Sequence, residues 1–557
     1  MSKKKALGQF FTPEFIVEFI YDMILKMRPK DELTQPRIID PACGEGIFLK
    51  YAIKNNITRP ELVFGIDKDE EISKVWDELG LSKIIGKNLY IQDGLYDTPD
   101  CRVFTKYENR KFDIVVGNPP YGGIGIKNLE KDEKLYNALK KYELWKNNFR
   151  KSEKKQEGIF SDESISNIKK LSKEEIIRIE RFPIEVLFLE RFIQLAKLNG
   201  IIGIIIPEGI LANSNMQYVR DWIMSKCDIE AIVSLPRSTF KDSGTTAKTA
   251  ILFLRRLKEN EVVPNDKYIF MASMEDDSKE NFNKREEMKN IVNAYKNSEL
   301  SIKLNPTRII KDVKWGDIIR GRANPEFWLP EYKKLVKNMK KKWIVKELGE
   351  FIESINYGKI LTDKKRKFIE SGIFCINQIN VRNTGIDWTL NPRFVSENDP
   401  RNVEKYKPNY GNILFNRDQV GTIGRCCIFT LERNKFCIND HIDLICIKNI
   451  NSYYVCAFLI CKYGKKQIER YTSGVSGITS IDFPDIKSII IPIIDTKYQK
   501  KIEKEYLEML DKHYKALDFK QKGDYVNFKN YVSKAEDKLN NLTKRLEELI
   551  EGKMDCI

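Results

Sequence analysis

The hydrophobic positions of this chain follow two periods, one typical of helices and one typical of buried strands. Apolar residues recur at helical spacing from Glu14 to Met27, which predicts an amphipathic helix there. Short uninterrupted apolar runs, such as Gly200 to Pro207, are typical of buried parallel strands. Near the end of the chain, apolar residues alternate at steps of four and three: Phe528, Val532, Ala535, Leu539, Leu542, Leu546 and Leu549. This last pattern predicts a long helix with a coiled-coil seam.

Three successive strand-like runs in the first part of the chain end in an acidic residue. Asp40 ends the first and leads into the turn Pro41-Ala42-Cys43-Gly44-Glu45-Gly46, Asp67 ends the second, and Asp93 ends the third. Glycines let the backbone approach a ligand closely, and an acid after the second strand of a doubly wound fold accepts hydrogen bonds from ribose hydroxyls. The turn lacks the glycine spacing of a pyrophosphate cradle. We therefore predict a pocket for a nucleoside without phosphates, with Asp67 at the ribose and Asp93 at an exocyclic amine.

A fourth strand-like run, Lys111 to Gly117, ends in the loop Asn118-Pro119-Pro120-Tyr121. The two prolines remove two backbone donors and stiffen the turn. The Asn118 carboxamide and the Pro119 carbonyl can then serve as fixed acceptors beside the exposed ring of Tyr121. Such a loop suits a flat group that carries an NH2, although a strand that ends at a proline turn explains most such strings taken alone.

The order of these motifs, with Gly8-Gln9-Phe10-Phe11-Thr12-Pro13 before the first helix, resembles the gamma-class amino-methyltransferases of DNA. The modification subunits of type I restriction systems are the most similar, over roughly residues 6 to 256. The resemblance implies an α/β, Rossmann-like methyltransferase sheet, S-adenosylmethionine as cofactor, and reaction at N6 of a flipped-out adenine. The implied catalytic residues are Asn118, Pro119, Pro120 and Tyr121. The implied cofactor contacts are Phe11, Thr12, Pro13, Asp40, Pro41, Ala42, Gly44, Gly46, Asp67, Asp93 and Asn118.

Three segments of the same half carry further expectations. Thr12 and Pro13 form a helix start signal, with Thr12 as the N-cap. Residues 124–181 are rich in Lys and Glu, which predicts a solvated helical insertion that could also lie over bound DNA. The loop Leu235 to Thr246 resembles the family's loop that places an aromatic against the target base, which implies Phe240 as a candidate to stack on that base together with Tyr121. A buried loop residue is the equal alternative for Phe240.

Residues 344–494 consist of short strand-like runs separated by Asn, Gly and Asp. Their loops carry arginines that could read base edges: Arg382, Arg417, Arg425 and Arg470. Thr472 to Ile481, with Ile489 to Ile493, resembles one target-recognition domain of type I specificity subunits; a structural accessory domain is the alternative. We expect a methyltransferase domain over 1–315, a linker over 316–343, a mixed α+β target-recognition domain over 344–494, and a C-terminal helical hairpin or coiled coil over 495–552.

The charge balance favours a polyanionic partner, since 96 Lys and Arg stand against 80 Asp and Glu, a net charge of +16. We expect double-stranded DNA as partner and, through the C-terminal helices, a second copy of the chain or a restriction or specificity subunit. No apolar run reaches the length of a membrane span and no signal peptide is recognisable, which predicts a cytoplasmic protein without membrane contact. Two histidines and no Cys-x-x-Cys pair predict that no metal is bound.

Several alternatives to an adenine methyltransferase stay open. A methyltransferase acting on a protein glutamine would share Asn-Pro-Pro-Tyr, because the NH2 of an amide has to be held in the same geometry as the NH2 of a base. A fused restriction nuclease would need a cluster of carboxylates and lysine, and none is evident in the sequence. A non-catalytic DNA-binding adaptor would not need Asp40, Asp67, Asn118 and Tyr121. Cytosine N4 stays open as a target, and the expected setting is restriction-modification or an orphan methylase.

Overall fold

The computed structural model contains two compact units, whose boundary in the sequence lies between Leu329 and Pro330. The described residues are 11–28, 33–96, 111–121, 126, 129, 132–146, 172–241, 247–274, 284–295, 308–319, 321–361, 367–419, 421–472 and 480–554. The boundary lies inside 316–343, where a linker is expected. Gly8 to Phe10 of the expected cofactor motif and residues 473–479 of the recognition-domain motif lie outside the described residues.

A nine-stranded, mostly parallel sheet forms the centre of the first unit, in the order β3-β2-β1-β4-β5-β7-β6-β8-β9. Its strands are β1 Ile38–Asp40, β2 Val63–Asp67, β3 Leu89–Ile91, β4 Phe112–Gly117, β5 Ala196–Pro207, β6 Cys227–Ser234, β7 Thr249–Arg256, β8 Tyr268–Ser273 and β9 Ile309–Lys314. From β3 to β5 neighbouring strands are parallel, and β7 runs antiparallel to β5 and β6. The predicted Rossmann-like methyltransferase sheet is confirmed.

Strands β8 and β9 lie in the stretch from Leu257 to Lys342, whose polar composition predicts a folded connector. β8 pairs parallel with β6, and β9 pairs antiparallel with β8 at the edge of the sheet. The apolar runs of the sequence predict about seven strands, and the sheet has nine. In β9 only Ile310 and Val313 are buried, because an edge strand has few covered positions. Such a strand needs little apolar sequence and resembles a connector.

The helices of the first unit connect these strands. They are α1 Glu14–Met27, α2 Ile47–Lys54, α3 Ile72–Glu78, α4 Leu81–Ile85, α5 Glu133–Leu139, α6 Lys173–Glu180, α7 Ile184–Leu195, α8 Gly209–Ala212, α9 Gln217–Lys226, α10 Lys284–Ala294 and α11 Trp315–Ile318. Helix α1 has the predicted bounds. Its apolar side packs into the main hydrophobic core, where Phe19 contacts Phe253 of β7 edge to face.

The described parts of segment 124–181 pack against the rest of the first unit. The Tyr142 hydroxyl donates to the Leu95 carbonyl at 2.6 Å. The Glu190 carboxylate in α7 accepts the N–H groups of Glu143 at 2.6 Å and Leu144 at 2.9 Å. Because Leu139 and Tyr142 are also buried, the expectation of a solvated insertion is wrong for residues 132–146.

The carboxyl ends of strands β1, β2, β3 and β4 lie at one edge of the sheet. In the parallel register Asp40 lies opposite Gly65, and Asp67 lies opposite Ile91. Asp93 follows β3 closely, and Asn118 follows β4 directly. The acids and the amide singled out in the sequence therefore meet at the edge where ligands bind in open α/β sheets.

Small sheets make up the β-structure of the second unit. Their strands are β10 Val345–Glu347, β11 Ile352–Tyr357, β12 Ile373–Ile376, β13 Val381–Arg382, β14 Gly385–Ile386, β15 Phe394–Val395, β16 Ile413–Asn416, β17 Cys426–Ile428, β18 Phe436–Ile438, β19 Ile442–Ile447 and β20 Ile490–Pro492. They form the orders β10-β20, β11-β19-β16-β17, β15-β12-β18 and β13-β14. A core of buried side chains, including Ile376, Leu414 and Ile438, joins the sheets other than β10-β20.

The helices of the second unit are α12 Pro330–Lys340, α13 Ser452–Ile460, α14 Lys462–Tyr471, α15 Phe483–Lys487, α16 Thr496–Gln521 and α17 Tyr525–Glu551. The predicted mixed α+β domain with long C-terminal helices is confirmed. Helices α16 and α17 form a hairpin through Gly523, whose φ of +76° permits the tight turn. The predicted seam is buried from Ala535 onward, whereas Val526 at the tip is 81% exposed. Among the described residues, no helix combines the length and apolar character needed to cross a membrane.

Candidate active site

A cleft of about 260 Å³ lies at the carboxyl edge of the sheet in the first unit. The expected site residues that line it are Phe11, Thr12, Asp40, Pro41, Ala42, Gly44, Asp67, Asp93, Asn118 and Pro120. Pro13, Gly46, Pro119 and Tyr121 are expected site residues that do not belong to the lining, and neither does Phe240. The structure thus gathers most of the expected cofactor contacts into one cavity.

The glycine-rich loop after β1 is held by the acid that ends β2. Gly44 has a left-handed φ of +51°, and its N–H donates to Asp67 Oδ2 at 2.9 Å. The Asp69 N–H donates to Asp67 Oδ1 at 2.9 Å, and the Trp76 indole donates to the Gly44 carbonyl at 2.8 Å. Both oxygens of Asp67 therefore fix backbone at the cleft, in addition to the ribose contact expected for this residue.

The third acid-ended strand comes very close to the first loop. A Cβ at Gly94 would lie 2.0 Å from the Pro41 carbonyl oxygen, which no side chain could tolerate without moving the backbone. The adjacent Asp93 accepts the N–H of Leu95 at 3.0 Å. Gly94 thus lets the Asp93 turn and the Asp40 loop close the same end of the cleft.

Asp40 is almost fully buried at the floor of the cleft. Its Oδ1 accepts the Ala42 N–H at 3.0 Å, and a Cβ at Gly117 would lie 2.5 Å from the same oxygen. Burial raises the pKa of Asp40 to about 8, and the nearby charge of Asp67 adds to the increase. Asp40 therefore carries a proton near neutral pH unless a cation or a donor occupies the cleft.

We expect the unliganded wild-type protein to lose stability relative to Asp40→Asn as the pH rises from about 4 to 8. The native state keeps the Asp40 proton up to a pKa of about 8, whereas the unfolded chain releases it near pH ~4. The stabilising contribution is thus complete below pH ~4 and is lost as the pH rises through this window, by up to about 1.4 kcal/mol per unit. Thermal melts of both proteins across this range measure the difference, and parallel profiles would contradict it.

The Asn118 side chain is held by Thr12, a residue near the N-terminal end of the domain. Its Nδ2 donates to Thr12 Oγ1 at 3.1 Å, across 106 positions of sequence. Thr12 was expected to cap helix α1, but α1 begins after Pro13 without a side-chain cap. The Thr12 hydroxyl instead fixes the orientation of the Asn118 carboxamide at the cleft.

Tyr121 and Phe240 are both buried, and this changes the expectation for the target-base pocket. Each ring is 1% exposed, so the prediction of an exposed Tyr121 ring is wrong for this structure. Burial raises the pKa of the Tyr121 hydroxyl, and the neighbouring Asn118 side chain acts in the opposite direction. Phe240 packs in the main core with residues such as Leu235 and Phe253. Stacking of either ring on a base stays a prediction and requires the ring to be uncovered.

Several lining residues were not singled out from the sequence: Lys68, Asp69, Glu71, Ile72, Val75 and Phe188. For Lys68, Asp69 and Glu71, the run of charged residues directly after Asp67 was a local signal. Ile72 and Val75 follow at helical spacing on α3. Phe188, on α7, has no local signal, because only the packing of that helix brings it to the cleft.

The lining determines what kind of ligand the cleft can hold. Its carboxylates outnumber its single ammonium group, Lys68. Burial raises the pKa values of Asp67 and Asp93 as well as that of Asp40. A positively charged ligand rich in N–H and O–H donors relieves this cost, whereas a phosphate would be repelled. The cleft therefore suits a cationic nucleoside with a flat apolar part.

The four arginines expected to contact DNA lie in two kinds of environment in the second unit. Arg382 is exposed on β13, and burial together with the charge of Arg382 lowers the pKa of Arg425, which places the two close together. The Arg417 guanidinium lies 4.5 Å from the ring centroid of Tyr357 and 5.4 Å from that of Phe483, and these two rings also contact each other. The Arg382 and Arg425 pair is thus better placed than Arg417 to meet a ligand.

Arg470 is partly buried on α14. Its guanidinium lies 5.8 Å from the ring centroid of Tyr332 and 5.6 Å from that of Tyr471. The contact with Tyr332 joins α14 to α12. DNA contact by Arg470 stays a prediction.

Comparison with known proteins links both units to restriction-modification. The N-6 DNA methylase family model matches residues 1–150 and 159–319, and the type I restriction modification DNA specificity domain model matches residues 340–535. The type II methyltransferase M.HincII of Haemophilus influenzae is 30% identical over 148 residues, which are 26% of this chain and 22% of that protein. The type I restriction enzyme EcoEI methylase subunit of Escherichia coli is 22% identical over 268 residues, 45% of this chain and 42% of that protein.

The chain therefore spans less than half of the length of either curated relative. A crystal structure of the methyltransferase subunit of a type I restriction-modification system from Streptococcus thermophilus aligns with 58% of this chain and 59% of its own, at 17% identity and a TM-score of 0.41. Because the first family model matches more than half of the 557 residues, the chain belongs to the N-6 DNA methylase family, with a type I DNA specificity domain in the same polypeptide.

Proposed function

We propose that this protein transfers a methyl group from S-adenosylmethionine to the N6 amine of an adenine in double-stranded DNA, at a sequence chosen by its specificity domain. The observation that carries the proposal is the Asn118 carboxamide, oriented by Thr12 and placed at the rim of a cleft lined with buried acids. The specificity-domain match does not favour a protein glutamine as the substrate. A restriction-modification setting, in the cytoplasm beside genomic DNA, is part of the proposal.

The cleft fits the cofactor on the chemistry of its lining. S-adenosylmethionine carries a sulfonium, an ammonium, two ribose hydroxyls and an exocyclic amine, and it has no phosphate. The glycine-rich loop at Gly44 would hold its methionine end, Asp67 its ribose, and Asp93 its adenine. Ile72, Val75 and Phe188 supply apolar surface for the flat base. When bound, the cofactor supplies a methyl group on an electron-poor sulfur.

The residues of this chain act on the amine that receives the methyl group. The lone pair of an adenine N6 amine is delocalised into the ring, so the amine is a poor nucleophile. The Asn118 side-chain oxygen and the Pro119 carbonyl would accept its two N–H bonds, which draws the nitrogen toward a tetrahedral shape with a directed lone pair. Thr12 contributes by holding the carboxamide in one orientation. No strong base is needed, because the methylated amine loses its proton readily.

The base must leave the duplex to reach this loop. Flipping costs roughly a few kcal/mol, which stacking on Tyr121 would offset. Because the Tyr121 ring is buried here, entry of the base must uncover it. In the second unit, Arg382 and Arg425 would read base edges. The exposed tip of the α16–α17 hairpin would serve a second copy of this chain or a restriction subunit as a docking point.

Incubation of the purified protein with methyl-labelled S-adenosylmethionine and unmodified genomic DNA tests the proposal. We expect N6-methyladenine in the nucleoside digest, at positions that share one sequence. DNA that the protein has already modified should accept no further label. Label on cytosine N4, or on protein instead of DNA, would overturn the proposal.

A further inference from the structure

One face of helix α12 carries four lysines and exposes all of them. Lys333, Lys334, Lys337 and Lys340 are exposed, whereas Tyr332 and Met339 are buried. At about 100° of rotation per residue, the four lysines fall within an arc of about 120°, opposite the buried pair. These four side chains form a continuous positive surface, the α12 lysine face.

Helix stability does not account for this arrangement. Lys337 and Lys340 lie in the last turn, where positive charge favours the helix dipole, but Lys333 and Lys334 lie nearer the N-terminus, where it is unfavourable. Like charges three or four residues apart also repel each other. Among the residues that the structure describes, no carboxylate forms an ion pair with Lys334, Lys337 or Lys340. Lys334, Lys337 and Lys340 therefore carry positive charge that no described carboxylate pairs with.

The α12 lysine face belongs to the same unit as the arginines assigned to base reading, and packed elements connect the two. Tyr332 of α12 contacts Arg470 of α14. The loop before Arg425 packs on the same helix α14, since a Cβ at Gly424 would lie 3.1 Å from Ile468. Helix α14 therefore packs against both α12 and the loop before Arg425, and the lysines lie on the side of α12 opposite Tyr332.

We propose that the α12 lysine face binds the phosphate backbone of the DNA outside the recognised base pairs. This inference rests on the proposed function, because it assigns where the same duplex continues on the second unit. Lysine is a compact point charge without the planar fork that reads bases, so the face contributes attraction without sequence preference. An anionic membrane surface is less suitable, because the large apolar residues Tyr332 and Met339 are buried and unavailable for insertion.

The test compares two variants of the full chain that each lose four lysines. The first replaces the α12 lysine face: Lys333→Gln, Lys334→Gln, Lys337→Gln and Lys340→Gln. The matched control replaces four exposed lysines of the α16–α17 hairpin: Lys500→Gln, Lys504→Gln, Lys529→Gln and Lys544→Gln. Both variants lose the same net charge, so they differ only in where the charge was.

The readout is the slope of log affinity for duplex DNA against log salt concentration. Each lost phosphate contact reduces the slope by about 0.9, so the α12 variant should lose about 2 to 4 while the control loses less than about 1. The ratio of affinities for specific and non-specific DNA should stay unchanged in the α12 variant. Lysine-to-arginine changes at the same four α12 positions keep the charge and should keep the slope.

Equal slopes for the α12 variant and the control would overturn the inference, as would a fall in the specificity ratio of the α12 variant alone. Binding to phosphatidylglycerol vesicles that depends on α12, with an unchanged DNA slope, would assign the face to membranes and also overturn it. Far-ultraviolet circular dichroism and thermal melts check that the variants fold. If the wild type binds DNA with the expected α12 dependence but transfers no methyl group, the proposed function fails and this inference stands.

Discussion

Asn118→Ala is expected to lower kcat for methyl transfer to DNA by about 100- to 1,000-fold while DNA binding persists. The change removes the side-chain acceptor for the amine, whose orientation the 3.1 Å hydrogen bond to Thr12 sets. Under the proposed function DNA would be bound mainly through its phosphates and the second unit, so the loss should appear in kcat. Methylation rates at saturating cofactor and DNA, with binding measured by fluorescence anisotropy, give the two quantities separately.

Two milder variants serve as controls for Asn118. Asn118→Asp keeps an acceptor oxygen but loses the N–H that Thr12 accepts, so it should retain intermediate activity. Thr12→Val keeps the side-chain shape and removes the acceptor, and it should lower kcat by roughly tenfold, a cost typical of one hydrogen bond. A wild-type kcat in Asn118→Ala would rule out the proposed mechanism. Loss of DNA binding in that variant would assign Asn118 to binding instead of catalysis.

The second large effect is expected from Asp67→Ala, which should weaken S-adenosylmethionine binding by about 100-fold or more. Both Asp67 oxygens accept backbone N–H groups at 2.9 Å, from Gly44 and from Asp69. Removing the carboxylate leaves two donors unpaired at about 1 to 3 kcal/mol each and frees the loop that would hold the cofactor. Isothermal titration calorimetry of the purified protein measures the change.

Two further variants separate this role of Asp67 from its charge. Asp67→Asn keeps one acceptor and should lose only part of the affinity. Asp77→Ala removes an exposed acid from neighbouring helix α3 and should bind the cofactor like the wild type. Equal cofactor affinity in Asp67→Ala and the wild type would contradict the assigned role of the carboxylate. If Asp77→Ala shifted the Kd for the cofactor by a similar amount, the effect would be one of net charge.

Elements with strong local periodicity could be predicted from sequence. Helix α1 has the expected bounds because its apolar residues and the preceding Pro13 are local signals. Strands β2 and β4 were visible as apolar runs that end in an acid or in Asn-Pro-Pro. The edge strand β9 was missed, since with only two buried residues it lacks the apolar density that identifies a central strand.

The acids of the site and Asn118 could be predicted from the sequence. The contacts between the site residues could not. The hydrogen bond from Asn118 to Thr12 joins two residues 106 positions apart, and no local pattern indicates it. The contacts of Arg417 with Tyr357 and Phe483 likewise join residues distant in sequence, and no local pattern indicates the burial of Tyr121. Side chains that look available in a loop can be covered by elements from elsewhere in the chain.

The sequence by itself determined that Asp40 and Asp67 end parallel strands, that Asp93 closely follows another, and that Asn118 directly follows a further one. Strand ends and turns depend on neighbouring residues, which is why they could be predicted. The tertiary structure decided that these ends meet at one cleft and that Asp67 fixes the glycine loop. It also decided that Thr12 orients Asn118 instead of capping a helix. These outcomes depend on register and burial, which arise only when distant segments pack together.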